Sequence, residues 1–160
     1  MTRILGIDPG FERLGVAVLE KSKNENQEKI LFSECFKTSS KLDFSERLVL
    51  IGEKVNKIIK KYNPEILSIE TLFLTTNQKT VMHVAEARGV VLYEARRAGL
   101  EIFEASPPQI KVAITGSGRA DKTQINKMVK ILVDVDVDKK SDDELDAIAI
   151  ALTAFAHMGR

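Results

Sequence analysis

Cysteine is nearly absent from this chain of 160 residues: Cys35 is the only one, so no internal disulfide can form and a cysteine-based zinc site is excluded. Histidine is almost as scarce. His83 falls among the apolar positions of a helical stretch and reads as structural, and His157 lies near the C-terminal end. No apolar run approaches the roughly 18 residues that a membrane-spanning helix requires. The N-terminus lacks the basic and apolar regions of a secretory signal and leads directly into a strand-like run. A cytosolic protein is therefore the expectation. The formal net charge of only +1 argues against a uniformly basic nucleic-acid binder. What is present is ordinary for a globular protein, 44% hydrophobic and 29% charged, and the length suits one domain over residues 1–160 with a continuous core.

Charge is distributed unevenly. Between Ile110 and Ile131, Lys111, Arg119, Lys122, Lys127 and Lys130 face only Asp121, a net +4. Between Leu132 and Asp146, seven acids face Lys139 and Lys140, a net −5. A basic stretch beside an acidic one suits a polyanion held against a metal centre, although a solvated mixed surface would look the same.

The opening "RILGIDPGFERLGVAVLEK" joins two apolar runs through a short turn and predicts a hairpin. Asp8-Pro9-Gly10 is good turn chemistry in itself. An acid closing an apolar strand is also half of a metal site. Residues 29–37 alternate apolar and polar and predict a third, antiparallel strand. Helical spacing follows over 43–62, stopped by Asn63-Pro64, and "EILSIE" at 65–70 predicts a strand that stays apolar until Glu70. A long helix spans Gln78 to Ala98 with Gly99 closing it, and "EIFEA" is a further strand that Pro107-Pro108 stops. Two last helices cover 121–134 and 142–157, the second with Ser141 and Glu144 as a capping box. Three antiparallel strands followed by alternating helices and strands describe an α/β domain with a mixed sheet flanked by helices.

Glu70 repeats the pattern of Asp8, and open α/β sheets place ligand sites where strands end. In "SDDELDAIAIALTAF", Asp143 and Asp146 lie three apart on one helix face. First-turn acids complement the helix dipole, which accounts for Asp142, Asp143 and Glu144. Asp146 already stands among apolar residues, where a carboxylate is costly unless paired or metal-bound. Together Asp8, Glu70, Asp143 and Asp146 form a set of hard oxygen donors of the kind Mg²⁺ prefers.

With these residues identified, the chain resembles the ribonuclease-H-like nucleases, and within them the RuvC-type Holliday-junction resolvases. "GIDPGFERLGVAV" resembles the family's opening strand pair, "SIETLF" its central strand, and "NQKTVMHVAEARGVVLYEA" its long helix. "PPQIKVAITGSGRADKTQI" and "DELDAIAIALTAF" resemble the two segments that follow. The resemblance implies a homodimeric endonuclease that resolves four-way junction DNA by symmetric paired nicks, alongside a branch-migration helicase complex. It implies two Mg²⁺ ions per site, with Mn²⁺ as a substitute, held by Asp8, Glu70, Asp143 and Asp146. By position, Lys111 and Lys122 match the family's two functional lysines, and Phe73 matches an aromatic that stacks on an unpaired base. Arg119, Asn77 and Arg88 are expected DNA contacts. Thr71 and Glu86 depart from the family pattern, which bears on DNA affinity. The alternatives are a YqgF-like RNA-processing nuclease, a sugar-kinase-like nucleotide-binding lobe and a non-catalytic junction-binding module.

Overall fold

Strand β1 (Thr2–Asp8) is made by the run Ile4, Leu5 and Ile7, and it occupies the centre of the sheet because both its faces are apolar. The structure is a computed structural model that describes residues 1–72 and 77–159. β1 pairs antiparallel with β2 (Arg13–Lys21), and β2 pairs antiparallel with β3 (Lys29–Lys37). After α1 (Phe44–Tyr62), β4 (Ile66–Glu70) returns parallel to β1 on its other side. α2 (Gln78–Arg97) then leads to β5 (Glu101–Ala105), which is parallel to β4. The sheet order is β3-β2-β1-β4-β5. The chain ends in three helices, α3 (Pro107–Thr115), α4 (Lys122–Val133) and α5 (Asp142–Met158), with a 3-10 turn (Val137–Lys139) before the last.

The mixed sheet is the one the sequence predicts. Helix α3 is not: Pro107-Pro108 reads as a strand stop, but it also opens a helix. Ser106 caps that helix, its hydroxyl accepting from the Gln109 N–H, and proline is tolerated in a first turn whose N–H groups have no helical partner. Ser141 and Glu144 form the expected capping box on α5.

Alternation along the strands divides the core in two. Leu5, Ile7, Val16, Val18, Leu67 and Ile69 pack under α1 and α2. Ile4, Ala17, Leu19 and Ile66 face the other way, against α3, α4 and α5. α5 carries almost nothing but apolar residues from Ala147 to Phe155 and lies directly on this second face. Two glycines permit that approach. A Cβ on Gly6 would stand 2.3 Å from the Ala147 carbonyl oxygen, and one on Gly15 would stand 2.2 Å from that of Asp143. Among the described residues no helix is long and apolar enough to cross a membrane.

Candidate active site

Period-2 alternation sends Asp8 to the same face as Ile4 and Gly6, and Glu70 to the same face as Ile66 and Ser68. That is the face α5 covers. In the β1–β4 register, Ile4 stands beside Ile66 and Ile7 beside Ile69, so the next step sets Asp8 beside Glu70. Asp8 also pairs with Gly15 on β2, and the Cβ-sized space at Gly15 touches both the Asp143 carbonyl oxygen (2.2 Å) and the Asp8 Cβ (3.2 Å). One strand end, its parallel neighbour and the first turns of α5 therefore deliver the predicted acids to a single place.

The electrostatics fit that crowding. Burial, followed by repulsion from Asp146, Glu70 and Asp143, pushes the Asp8 carboxyl up to about 7. Burial and then Asp146 raise Glu70 as well. Asp146 is raised chiefly by its own burial, against the lowering effect of Lys122. Burial alone would lower the Lys122 ammonium, but a hydrogen bond to Asp146 and the nearby Asp142 and Asp8 raise it on balance.

The helix acids have cationic partners. Lys122 Nζ donates to Asp146 Oδ2 at 3.0 Å and stands 3.8 Å from Asp142 Oδ2. Arg13 Nη2 lies 2.7 Å from Asp143 Oδ2, which Cys35 Sγ approaches to 3.5 Å. Behind them Ser33 donates to Glu144 (2.8 Å) and receives from Lys140 (2.7 Å), tying β3 to the start of α5. Among the described residues, no group of three or more His, Cys, Asp and Glu side chains is arranged to hold an ion, and Asp143 and Asp146 are each paired with a cation. The donor set still suits a hard divalent cation: four carboxylates, with Asp8, Glu70 and Asp146 raised above their ordinary values, leave negative charge for which such an ion would compensate.

Lys111 lines a cavity of about 160 Å³ together with Glu70, Asp146, Ile110 and Ile125, so it joins the acids. Arg119 is exposed in the turn before α4, with its backbone N–H on the Ser117 hydroxyl. Asn77 is exposed and caps α2, its Oδ1 accepting from the Thr80 N–H at 3.2 Å. The Arg88 side chain is only 14% exposed, and its Nε donates to the Glu70 carbonyl oxygen at 3.1 Å. Phe73 lies outside the described residues. His83 is structural, as expected, stacked on Phe44 with ring centroids 3.9 Å apart. Sequence reasoning missed Arg13 and Cys35. Their signal was alternation: both share the face of Gly15, Arg13 two residues before it and Cys35 directly opposite.

A ribonuclease-H-like sheet with acids at two adjacent strand ends, and a terminal helix bringing two more, defines a nuclease of that fold class. Comparison with known proteins narrows the class. The family model described as "Crossover junction endodeoxyribonuclease RuvC" matches residues 4–154. The protein of that name from Caldicellulosiruptor saccharolyticus is 43% identical over 150 residues, 94% of this chain and 90% of its own. That from Halothermothrix orenii is 41% identical over 149 residues, 93% of this chain and 89% of its own. Among solved structures, Thermus thermophilus RuvC in complex with a Holliday junction substrate superimposes with a TM-score of 0.91 at 31% identity, covering 99% of this chain and 97% of that one. The chain belongs to the RuvC family of crossover junction endodeoxyribonucleases.

Proposed function

We propose that the chain resolves four-way DNA junctions as a homodimer, nicking two strands of like polarity at symmetric positions. The observation that carries this reading is the convergence of Asp8, Glu70 and the Asp143–Asp146 turn at one end of the sheet, with Lys111 and Lys122 beside them. The Thermus thermophilus relative of the same fold was solved on a junction substrate, which supports this choice of DNA.

In this reading the four carboxylates hold two Mg²⁺ ions, for which Mn²⁺ substitutes. Bound ions of this kind supply Lewis acidity, activating water and stabilising the leaving oxygen. The protein's own groups do the rest. Lys122, half exposed at the mouth of the site, neutralises charge that grows on the phosphate in the transition state. Lys111 does the same from the cavity shared with Glu70 and Asp146. Water oxygen bonds to phosphorus as the bond to the 3′ oxygen breaks, and that oxygen takes a proton, leaving a 5′-phosphate and a 3′-hydroxyl. Arg119 contacts backbone phosphate from its exposed turn, and Phe73 stacks on an unpaired base near the crossover.

Two nicks related by symmetry require two like sites, which a twofold dimer provides. The exposed Val49 on α1, with Met82 and Tyr93 on α2, supports placing the interface on these helices, where a groove of about 630 Å³ lies between them. We treat residues 1–160 as one domain acting in the cytosol. Incubation with Mg²⁺ and a synthetic four-way junction, and in parallel with the matching linear duplex, tests the proposal. Paired nicks confined to the junction are expected, and an intact junction would overturn it.

A further inference from the structure

The β1–β4 ladder ends at Ile7 and Ile69, one step short of the two acids. Its parallel pattern explains why. The residues flanking β4 set its phase: the Thr71 N–H donates to the Ala105 carbonyl and the Glu65 carbonyl accepts from Glu101, both towards β5, while the Glu65 N–H, ahead of the strand, turns to the Arg3 carbonyl on β1. Even residues, including Glu70, therefore direct their backbone groups towards β1. The donor due to reach the Glu70 carbonyl oxygen is the N–H of residue 9, and residue 9 is proline, which has none. The same Asp-Pro sequence that turns the chain after the first acid leaves the carbonyl of the second without its ladder partner.

Arg88 supplies the missing donor from α2. Its Nε lies 3.1 Å from the Glu70 carbonyl oxygen, while its Nη2 pairs with the Glu104 carboxylate on β5. In the β4–β5 register Glu104 stands beside Ile69, so the guanidinium is anchored one residue from the point it holds. A planar fork with donors on two edges suits this bridging, and a lysine ammonium does not reproduce it.

We infer that Arg88 is a positioning residue for the metal site: by completing the β1–β4 ladder where Pro9 cannot, it fixes the backbone from which the Glu70 carboxylate reaches the cation. This rests on the assignment of Glu70 as a ligand made above. It also gives Arg88 a different task from the DNA contact expected from the sequence, because a guanidinium that is 14% exposed and engaged at two edges has little left for phosphate.

The test is Mn²⁺ binding to the DNA-free protein, followed by electron paramagnetic resonance, with junction affinity in EDTA as the second readout. Wild type, Arg88→Gln, Arg88→Lys and Glu104→Gln are compared. Partners that orient metal ligands typically contribute about 10–100-fold in affinity, so Arg88→Gln should weaken Mn²⁺ binding by that order. Arg88→Lys, which keeps one donor, should fall between it and wild type. Glu104→Gln should weaken binding several-fold while keeping the fold, since that side chain is half exposed. Junction affinity without divalent ions should stay within about twofold in all three. Wild-type Mn²⁺ affinity in Arg88→Gln overturns the inference, as does weaker junction binding with a shallower salt dependence, which marks a phosphate contact. Should Arg88→Gln fail to fold, unchanged Mn²⁺ affinity in Glu104→Gln overturns it instead. A wild type that binds no Mn²⁺ removes the metal-site reading and this inference together, whereas a wild type that binds normally beside an unaffected variant removes only this one.

Discussion

The two halves of the site hold their acids in opposite ways. On the sheet, Asp8 and Glu70 are set side by side by strand register and remain raised in pKa, Asp8 to about 7, with burial as the leading cause. On α5, Asp143 and Asp146 each rest on a cation, Arg13 at 2.7 Å and Lys122 at 3.0 Å. Asp146 is raised as well, and burial leads in all three, so what separates the halves is that each helix acid has a cationic partner. If the four acids hold an ion, Arg13 and Lys122 are the partners that would have to give way to it.

Breaking the sheet half should have the largest effect. Asp8→Asn and Glu70→Gln remove a ligand charge at nearly constant volume, and each should lose junction cleavage altogether while binding the junction at least as well. Asp146→Asn should do the same from the helix half. A gel assay of nicking alongside a binding titration checks all three, and retained cleavage in any one would contradict the assignment.

Separating the halves should come next. Gly15→Ala places a methyl 2.2 Å from the Asp143 carbonyl oxygen, which is backbone and has no rotamer by which to escape. α5 must then lift from the sheet. Overpacking of this kind costs about 1–3 kcal/mol, so the melting temperature should fall and cleavage should drop in the folded fraction as well. Normal cleavage in a stable Gly15→Ala protein would mean that the two halves need not touch.

How far the sequence revealed the site follows the same division. Asp8 and Glu70 were legible because each ends an apolar strand, and alternation alone assigns them a face. Asp143 and Asp146 were legible from helical spacing and from the apolar run that follows them. Of the side chains around them, Lys122 was named but its pairing with Asp146 was not foreseen. Arg13, Cys35 and Arg88 acquire meaning only from register, which decides what stands opposite Gly15 and which carbonyl lacks a donor beyond Ile69. Asn77 also carried a local signal, a cap before a helix. Helix α3 was hidden because Pro107-Pro108 stops β5 and starts α3 with the same two residues.

The raised Asp8 carboxyl makes a pH prediction with a definite sign. Its folded value of about 7 lies above the ordinary 3.8, so the folded state binds the proton more tightly than the unfolded one. Without metal, stability relative to Asp8→Asn should be unaffected below pH 3.8 and fall as pH rises through about 7. The change should be on the order of a few kcal/mol, and denaturant melts in EDTA at several pH values measure it. The smallest effect should come from Arg13, the partner of Asp143. Arg13 is about half exposed, so Arg13→Gln should leave stability at neutral pH almost unchanged. A larger loss on chemical denaturation would show that the Arg13–Asp143 pair holds α5 in place.

The most direct test of the central claim, that the two halves close on a divalent cation, is the Mg²⁺-dependent shift in melting temperature at pH 8 for wild type and Asp8→Asn. Wild type should melt lower than the variant in EDTA and rise as Mg²⁺ is added, while Asp8→Asn starts higher and stays nearly still. Equal Mg²⁺ shifts in the two proteins, or none in wild type, would contradict the account.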